Sequence, residues 1–169
     1  MLNPPLVSIL MNCYNSEKFI ETAIKSVLTQ DYTNWELIVW DDASTDNTVN
    51  RIKKFNDKRI KLFTNQNHCG LGKSRISAIK KLNGSLITIL DSDDSYHINK
   101  IIKQVEIFQK FPEVAICATW VKILNEKNEF LYSISRKINK SDLKKKLMYV
   151  NLLNHSSIIT DLEADGRAT

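Results

Sequence analysis

The chain has 169 residues, 43% of them hydrophobic and 25% charged, with a net charge of +5 at pH 7. This is the composition of a globular domain large enough to bury one core, and no apolar run approaches the roughly 20 residues of a spanning helix. Cys13, Cys69 and Cys117 fit neither a disulfide framework nor zinc-ligand spacing, and the first residues lack signal-peptide character, so a reduced, cytoplasmic protein is expected.

Residues 7–11 form an apolar run of strand length that ends in Asn12-Cys13-Tyr14-Asn15-Ser16. Over 17–30, Phe19, Ile20, Ala23, Ile24, Val27 and Leu28 recur at helical spacing, with Asn15 or Ser16 available as cap. A second strand at 36–40 closes in Asp41-Asp42, and 43–48 is turn and cap chemistry before a helix carrying Val49, Ile52 and Phe55. After a third strand at 59–64, Gly70 and Gly72 open a basic helix with Ile76, Ile79 and Leu82, which Asn83-Gly84 stops. The fourth strand, 86–90, runs into Asp91-Ser92-Asp93-Asp94.

Beyond it come a helix at 98–111, a strand at 114–124, a turn at Asn125-Glu126-Lys127-Asn128 and a strand at 130–134 that completes a hairpin. A lysine-rich helix with Leu143, Leu147 and Met148 on one side follows, then an apolar segment at 157–160 and a tail at 161–169. Strand and helix alternate four times. The expected fold class is therefore α/β, a Rossmann-like, mostly parallel sheet with right-handed crossovers and helices on both faces.

Three strand ends are polar: Asn12 with Asn15, Asp41 with Asp42, and Asp91 with Asp93. A parallel sheet sets such ends along one edge, where open α/β sheets bind ligands. Three carboxylates crowded at 91–94 repel one another and lose solvation beside an apolar strand. A raised pKa relieves this, and so does a hard cation such as Mg²⁺ or Mn²⁺. A helix cap at Asp93, Asp94 or Ser95 uses only one acidic group and leaves two unexplained. Asp42 can accept hydrogen bonds from a base or ribose, Asp93 can hold a metal between diphosphate oxygens, and Arg75 can meet phosphate at a helix start.

Rival motifs are incomplete. Gly70-Leu71-Gly72-Lys73-Ser74 resembles part of a P-loop, but Asn67 stands where that motif needs glycine, and a P-loop leaves Asp41-Asp42 without a role. No Gly-x-Gly-x-x-Gly follows the first strand. His68, His97 and His155 are isolated, while Cys13, Trp35, Trp40 and Trp120 read as packed core or sheet-face residues. The basic stretch at 136–146 is either a solvated helix face or a peripheral contact with an anionic membrane surface. It lacks the interleaved aromatics of a nucleic-acid platform, so no nucleic-acid partner is expected.

Val7-Ser8-Ile9 leading to Tyr14-Asn15, the 41–48 segment, Gly70 to Arg75 and Asp91-Ser92-Asp93-Asp94 together resemble family 2 glycosyltransferases of the GT-A fold. The resemblance covers roughly the first two thirds of the chain. It implies a nucleotide-sugar donor, commonly a UDP-sugar, a divalent cation (Mn²⁺ or Mg²⁺), inverting transfer to a glycan or lipid-linked acceptor, and a role in bacterial surface polysaccharide synthesis at the inner face of the membrane. Carried over by position, Asp42 meets the base, Ser8, Tyr14 and Asn15 line the nucleotide pocket, and Arg75 approaches the diphosphate. Asp91 and Asp93 touch ribose and metal, with Asp94 sharing that duty.

Ile76 departs from the asparagine many members carry. The resemblance divides 1–160 into a nucleotide-binding half (1–97) and the start of an acceptor half (98–160). Family members supply the general base from a later segment, and neither Glu163 nor Asp165 has the matching context. The expectation is a truncated donor half, with a non-catalytic nucleotide-sugar binding module as the alternative to an enzyme.

Overall fold

Strand β1 (Val7–Cys13) lies at the centre of the fold because both its faces are apolar: Val7, Ile9, Leu10 and Met11 are fully buried. In the computed structural model, which describes residues 4–125, 127, 129–135 and 154–161, β1 pairs in parallel with β2 (Trp35–Asp41) and β4 (Leu86–Ile89). Parallel β3 (Ile60–Thr64) extends the sheet beyond β2. On the far side, β8 (Ile158–Asp161) runs antiparallel between β4 and β5 (Ile116–Ala118), giving the order β3-β2-β1-β4-β8-β5.

Alternation along the strands divides the core in two. Helices α1 (Ile20–Leu28), α2 (Thr48–Ile52) and α4 (Lys100–Lys110) cover the face bearing Val7, Ile9 and Met11. Helix α3 (Leu71–Ile79) covers the other, where Ala78 packs on Leu10 and Ile38. Each fully buried isoleucine or leucine contributes about 1.5–3 kcal/mol relative to exposure. Among the described residues, no helix is long and apolar enough to cross a membrane.

Several local expectations shift. Helix α1 starts at Ile20 with Phe19 at its N-cap, because the Ser16 carbonyl accepts the Phe19 and Ile20 amides while the side chains of Asn15 and Ser16 bond elsewhere. Helix α3 ends at Ile79, short of Asn83-Gly84. Gly84 instead allows close strand approach, since a Cβ there would lie 2.8 Å from the Ser8 amide and hydroxyl. Helix α4 takes Asn99 as N-cap, so none of the aspartates at 91–94 caps it.

The 114–124 strand breaks at Thr119-Trp120 into β5 and β6 (Val121–Leu124), and β6 pairs with β7 (Phe130–Ile134) as the expected hairpin. Trp35 is buried and Trp40 stacks on Phe63, but Trp120 is 71% exposed and belongs to no core. The basic stretch at 136–146 and the tail carboxylates Glu163 and Asp165 lie outside the described residues.

Candidate functional site

The C-terminal ends of β1 and β2 meet α3 around an open cleft lined by Asn12, Cys13, Tyr14, Asp42, His68, Leu71 and Ser74. Register sets the level: Asn12 faces Trp40, and Leu10 faces Ile89. Continuing the alternation of Leu10, Ile38 and Ile89, the side chains of Asn12, Asp42 and Asp91 fall on the α3 face of one sheet edge. Arg75 reaches this edge from α3, with its Nη2 3.7 Å from Asp91 Oδ1.

The aspartate pair at the end of β2 splits between two tasks. Asp41 accepts the Ser44 amide at 3.0 Å and the Ser44 hydroxyl, shaping the turn after β2. Asp42 is 4% exposed and gathers the 65–70 loop. Its Oδ1 accepts Asn65 Nδ2 at 2.6 Å and the Cys69 amide at 3.0 Å, and its Oδ2 accepts the Gly70 amide at 2.8 Å and lies 3.0 Å from His68 Nδ1. Burial alone would raise this carboxyl, but the donors from Asn65, Cys69 and Ser74 outweigh it and hold Asp42 well below the usual carboxylate range.

This arrangement also excludes the P-loop reading. The amides of Cys69 and Gly70, at the N-terminus of α3, point at the chain's own carboxylate, in the position where a P-loop would cradle a phosphate. Gly70, the N-cap, has φ +87°, a conformation that favours glycine.

The loops after β1 and β2 are clasped together. Asn15, at φ +49°, donates its amide to Ser44 Oγ (2.9 Å) and accepts the Thr45 amide on Oδ1 (2.9 Å). Asp46 accepts the amides of Glu17 and Thr48. Asn15 therefore stands at the rim as a fastener, while Tyr14 enters the cleft with its ring 4.1 Å from that of His68.

At the end of β4 the acidic loop is pinned by its neighbours. Ser16 and Ser92 hydroxyls lie 2.8 Å apart, Asp91 donates its amide to Ser156 Oγ, and the Asp94 amide reaches the Asp91 carbonyl. Beneath the loop, buried Tyr96 donates to the Ile89 carbonyl and lies 2.8 Å from Thr88 Oγ1. The Asp91 carboxyl is raised by burial and by repulsion from Asp94 and Asp93, with Arg75 and His155 opposing. Among the described residues, no three His, Cys, Asp or Glu side chains are placed to hold a metal ion.

The structure thus brings Tyr14, Asp42, Arg75 and Asp91 to one edge, with Asp93 and Asp94 in the adjoining loop. It corrects the placement of Ser8, which lies at the opposite end of β1 and is fully buried. The Ser8 hydroxyl donates to Glu36 Oε1 at 2.7 Å and accepts the Gly84 amide at 2.8 Å, so it faces the strand crossing and not the cleft. His68, Leu71 and Ser74 enter the lining unannounced. Their contribution depends on how the 65–70 loop folds over Asp42, which no local pattern encodes.

Residues 8–160 match the family model described as Glycosyl transferase family 2. The UDP-Glc:alpha-D-GlcNAc-diphosphoundecaprenol beta-1,3-glucosyltransferase WfgD of Escherichia coli is 47% identical over 105 residues, 62% of this chain and 42% of WfgD. Among solved structures, S. aureus TarS 1-349 in complex with UDP-GlcNAc superposes with a TM-score of 0.74 at 24% identity, covering 95% of this chain and 47% of that one. The mannosyltransferase PcManGT from Pyrobaculum calidifontis, in complex with GDP-Man and Mn2+, gives 0.70 at 17% identity, covering 98% and 47%. The chain spans less than half the length of each of these proteins.

Proposed function

Because the chain belongs to Glycosyl transferase family 2 and has the GT-A fold, we propose that its cleft binds the nucleoside diphosphate of a sugar donor, a UDP-sugar first. The carrying observation is the convergence of Asn12, Asp42, Arg75 and Asp91 on the α3 face of one sheet edge, with the guanidinium beside the acidic loop. Arg75 supplies forked donors for phosphate oxygens. Tyr14 offers an aromatic face at the cleft mouth.

The full reaction in this reading is inverting transfer to a glycan or lipid-linked acceptor, in bacterial surface polysaccharide synthesis. The acceptor hydroxyl oxygen bonds to the anomeric carbon as the carbon–oxygen bond to the diphosphate breaks. UDP departs with the electron pair, and the hydroxyl proton passes to a base. WfgD, named for a diphosphoundecaprenol acceptor, supports the lipid-linked class.

Asp91, Asp93 and Asp94 form a hard-oxygen donor set whose mutual repulsion leaves negative charge to neutralise, which suits Mn²⁺ or Mg²⁺. Such a cation takes one or two carboxylates from the protein and completes its shell from diphosphate oxygens and water, so a site without three converging side chains is compatible with it. When bound, it would offset the charge that develops on the departing diphosphate.

Calorimetry with UDP tests the reading. The expected result is a Kd on the order of micromolar in the presence of Mn²⁺, about 8 kcal/mol of binding free energy. Asp93→Ala should weaken binding at least tenfold and remove the Mn²⁺ dependence. No UDP affinity with Mn²⁺ present would overturn the proposal. Donor hydrolysis or transfer would favour the enzyme, and tight binding without turnover a binding module.

A further inference from the structure

Two rings and one carboxylate meet at the mouth of the cleft. The His68 imidazole lies on the Tyr14 ring, with centroids 4.1 Å apart and planes inclined by 36°. Its Nδ1 is 3.0 Å from Asp42 Oδ2 and 3.3 Å from the Asp42 carbonyl oxygen. Asp42 is held in its ionised form, so both neighbours are acceptors, and His68 Nδ1 carries the proton and donates it. A flat ring is thus held by its face against an aromatic side chain and by a ring N–H against a carboxylate.

These are also the contacts that hold a nucleobase, which stacks on an aromatic face and hydrogen-bonds along its edge. Here the chain supplies the ring from its own sequence. The imidazole is weakly seated: the His68 side chain is half exposed, whereas the carboxylate it covers is buried. The loop that carries it does not depend on it. Asn65 and the Cys69 and Gly70 amides bind the same carboxylate, so the imidazole can swing out about its own side-chain bonds while the backbone stays in place. Oδ2 then keeps the Gly70 amide and has a lone pair free for another ring N–H.

We infer that His68 is an internal stand-in for the base of the sugar nucleotide, filling the place between Tyr14 and Asp42 until the donor displaces it. The inference rests on the donor-binding reading above and adds to that site a residue that opposes binding. Donor affinity is then lowered in proportion to the fraction of molecules whose base subsite stands open.

Calorimetry with Mn²⁺ present, on the wild-type chain and His68→Ala, tests this. The variant should bind UDP about tenfold more tightly, the gain expected when about nine molecules in ten are closed. Uridine should gain by the same factor, while inorganic diphosphate should bind both chains equally, because His68 blocks only the base end. Proton NMR gives a second reading, with His68→Ala identifying the His68 signals among those of the three histidines. In the wild type these signals, displaced by the Tyr14 ring, should move towards free-histidine positions as UDP saturates the cleft. UDP affinity that is unchanged or weaker in His68→Ala would overturn the inference. So would an equal gain for diphosphate, or His68 signals that hold their positions at saturation. Failure of both chains to bind UDP is a different result, and it would remove the donor reading and this inference with it.

Discussion

The ends of β2 and β4 present the same chemistry, aspartates at the C-terminal edge of one parallel sheet, and the fold treats them in opposite ways. Asp42 is wrapped in amide and side-chain donors from the 65–70 loop, and its carboxyl is held well below the usual range. At Asp91, burial and repulsion from Asp94 and Asp93 raise the carboxyl, with the loose guanidinium of Arg75 and His155 opposing. A carboxylate that finds its partners within the chain is an anchor. In the proposed reading, one that finds mostly like charges takes a cation or another ligand from outside.

The largest test concerns what lies beneath the acidic end. Lys100 is 6% exposed, its Nζ 2.8 Å from Gln104 Oε1 and 4.1 Å from the Tyr96 ring centroid. Burial pushes its ammonium down to about 7, with Cys117 nearby acting in the opposite direction. A lysine whose folded pKa lies below its ordinary value of 10.5 is charged more readily in the unfolded chain. Stability should therefore rise with pH between about 7 and 10, by up to about 1.4 kcal/mol per pH unit. Chemical denaturation across that window should show the slope in the wild type and its loss in Lys100→Met. An unchanged slope in the variant would separate Lys100 from the effect.

The next largest effect belongs to the anchor. Asp42→Ala leaves the amides of Cys69 and Gly70 without their acceptor and should lower stability by about 3 kcal/mol, near 10 °C in melting temperature. Acid should act in the same direction. With a folded pKa below its ordinary value of 3.8, Asp42 contributes stability above that pH and loses it as pH falls further.

The smallest effect contrasts the two ends directly. Asp91→Asn removes a charge that burial and its neighbours oppose, so unliganded stability should stay within about 0.5 kcal/mol of wild type or rise slightly. The raised carboxyl of Asp91 costs stability as pH climbs through and above 3.8, the reverse of Asp42. Equal losses in Asp42→Ala and Asp91→Asn would erase the distinction between anchor and ligand site.

The alternating pattern made the parallel sheet legible, because apolar runs of four to seven residues between amphipathic helices admit little else. The convergence of strand ends was equally plain, since it follows from parallel topology. Placement of single side chains was not. Ser8 belongs to a cluster with Glu36, Asn83 and Gly84 that joins it to residues 28 to 76 positions further along the chain. The 157–160 segment is apolar, and 154–158 resembles the strand that begins the acceptor half, but its place in the sheet had no local signal. It inserts between β4 and β5, where Gln104 reaches the Cys117 and Ser157 carbonyls from α4.

That late strand also sets an order of assembly. Ile87 and Thr160, partners across β4 and β8, are 73 positions apart. The parallel block of β1 to β4 can form while the chain is still being made, but β5 has no seat in the sheet until residues 158–161 emerge. Closing so long a loop costs more entropy than the neighbouring crossovers and slows the step. A growing chain therefore exposes the free edge of β4 until its last partner arrives, and that interval is when the nascent protein is most open to pairing with another copy of itself.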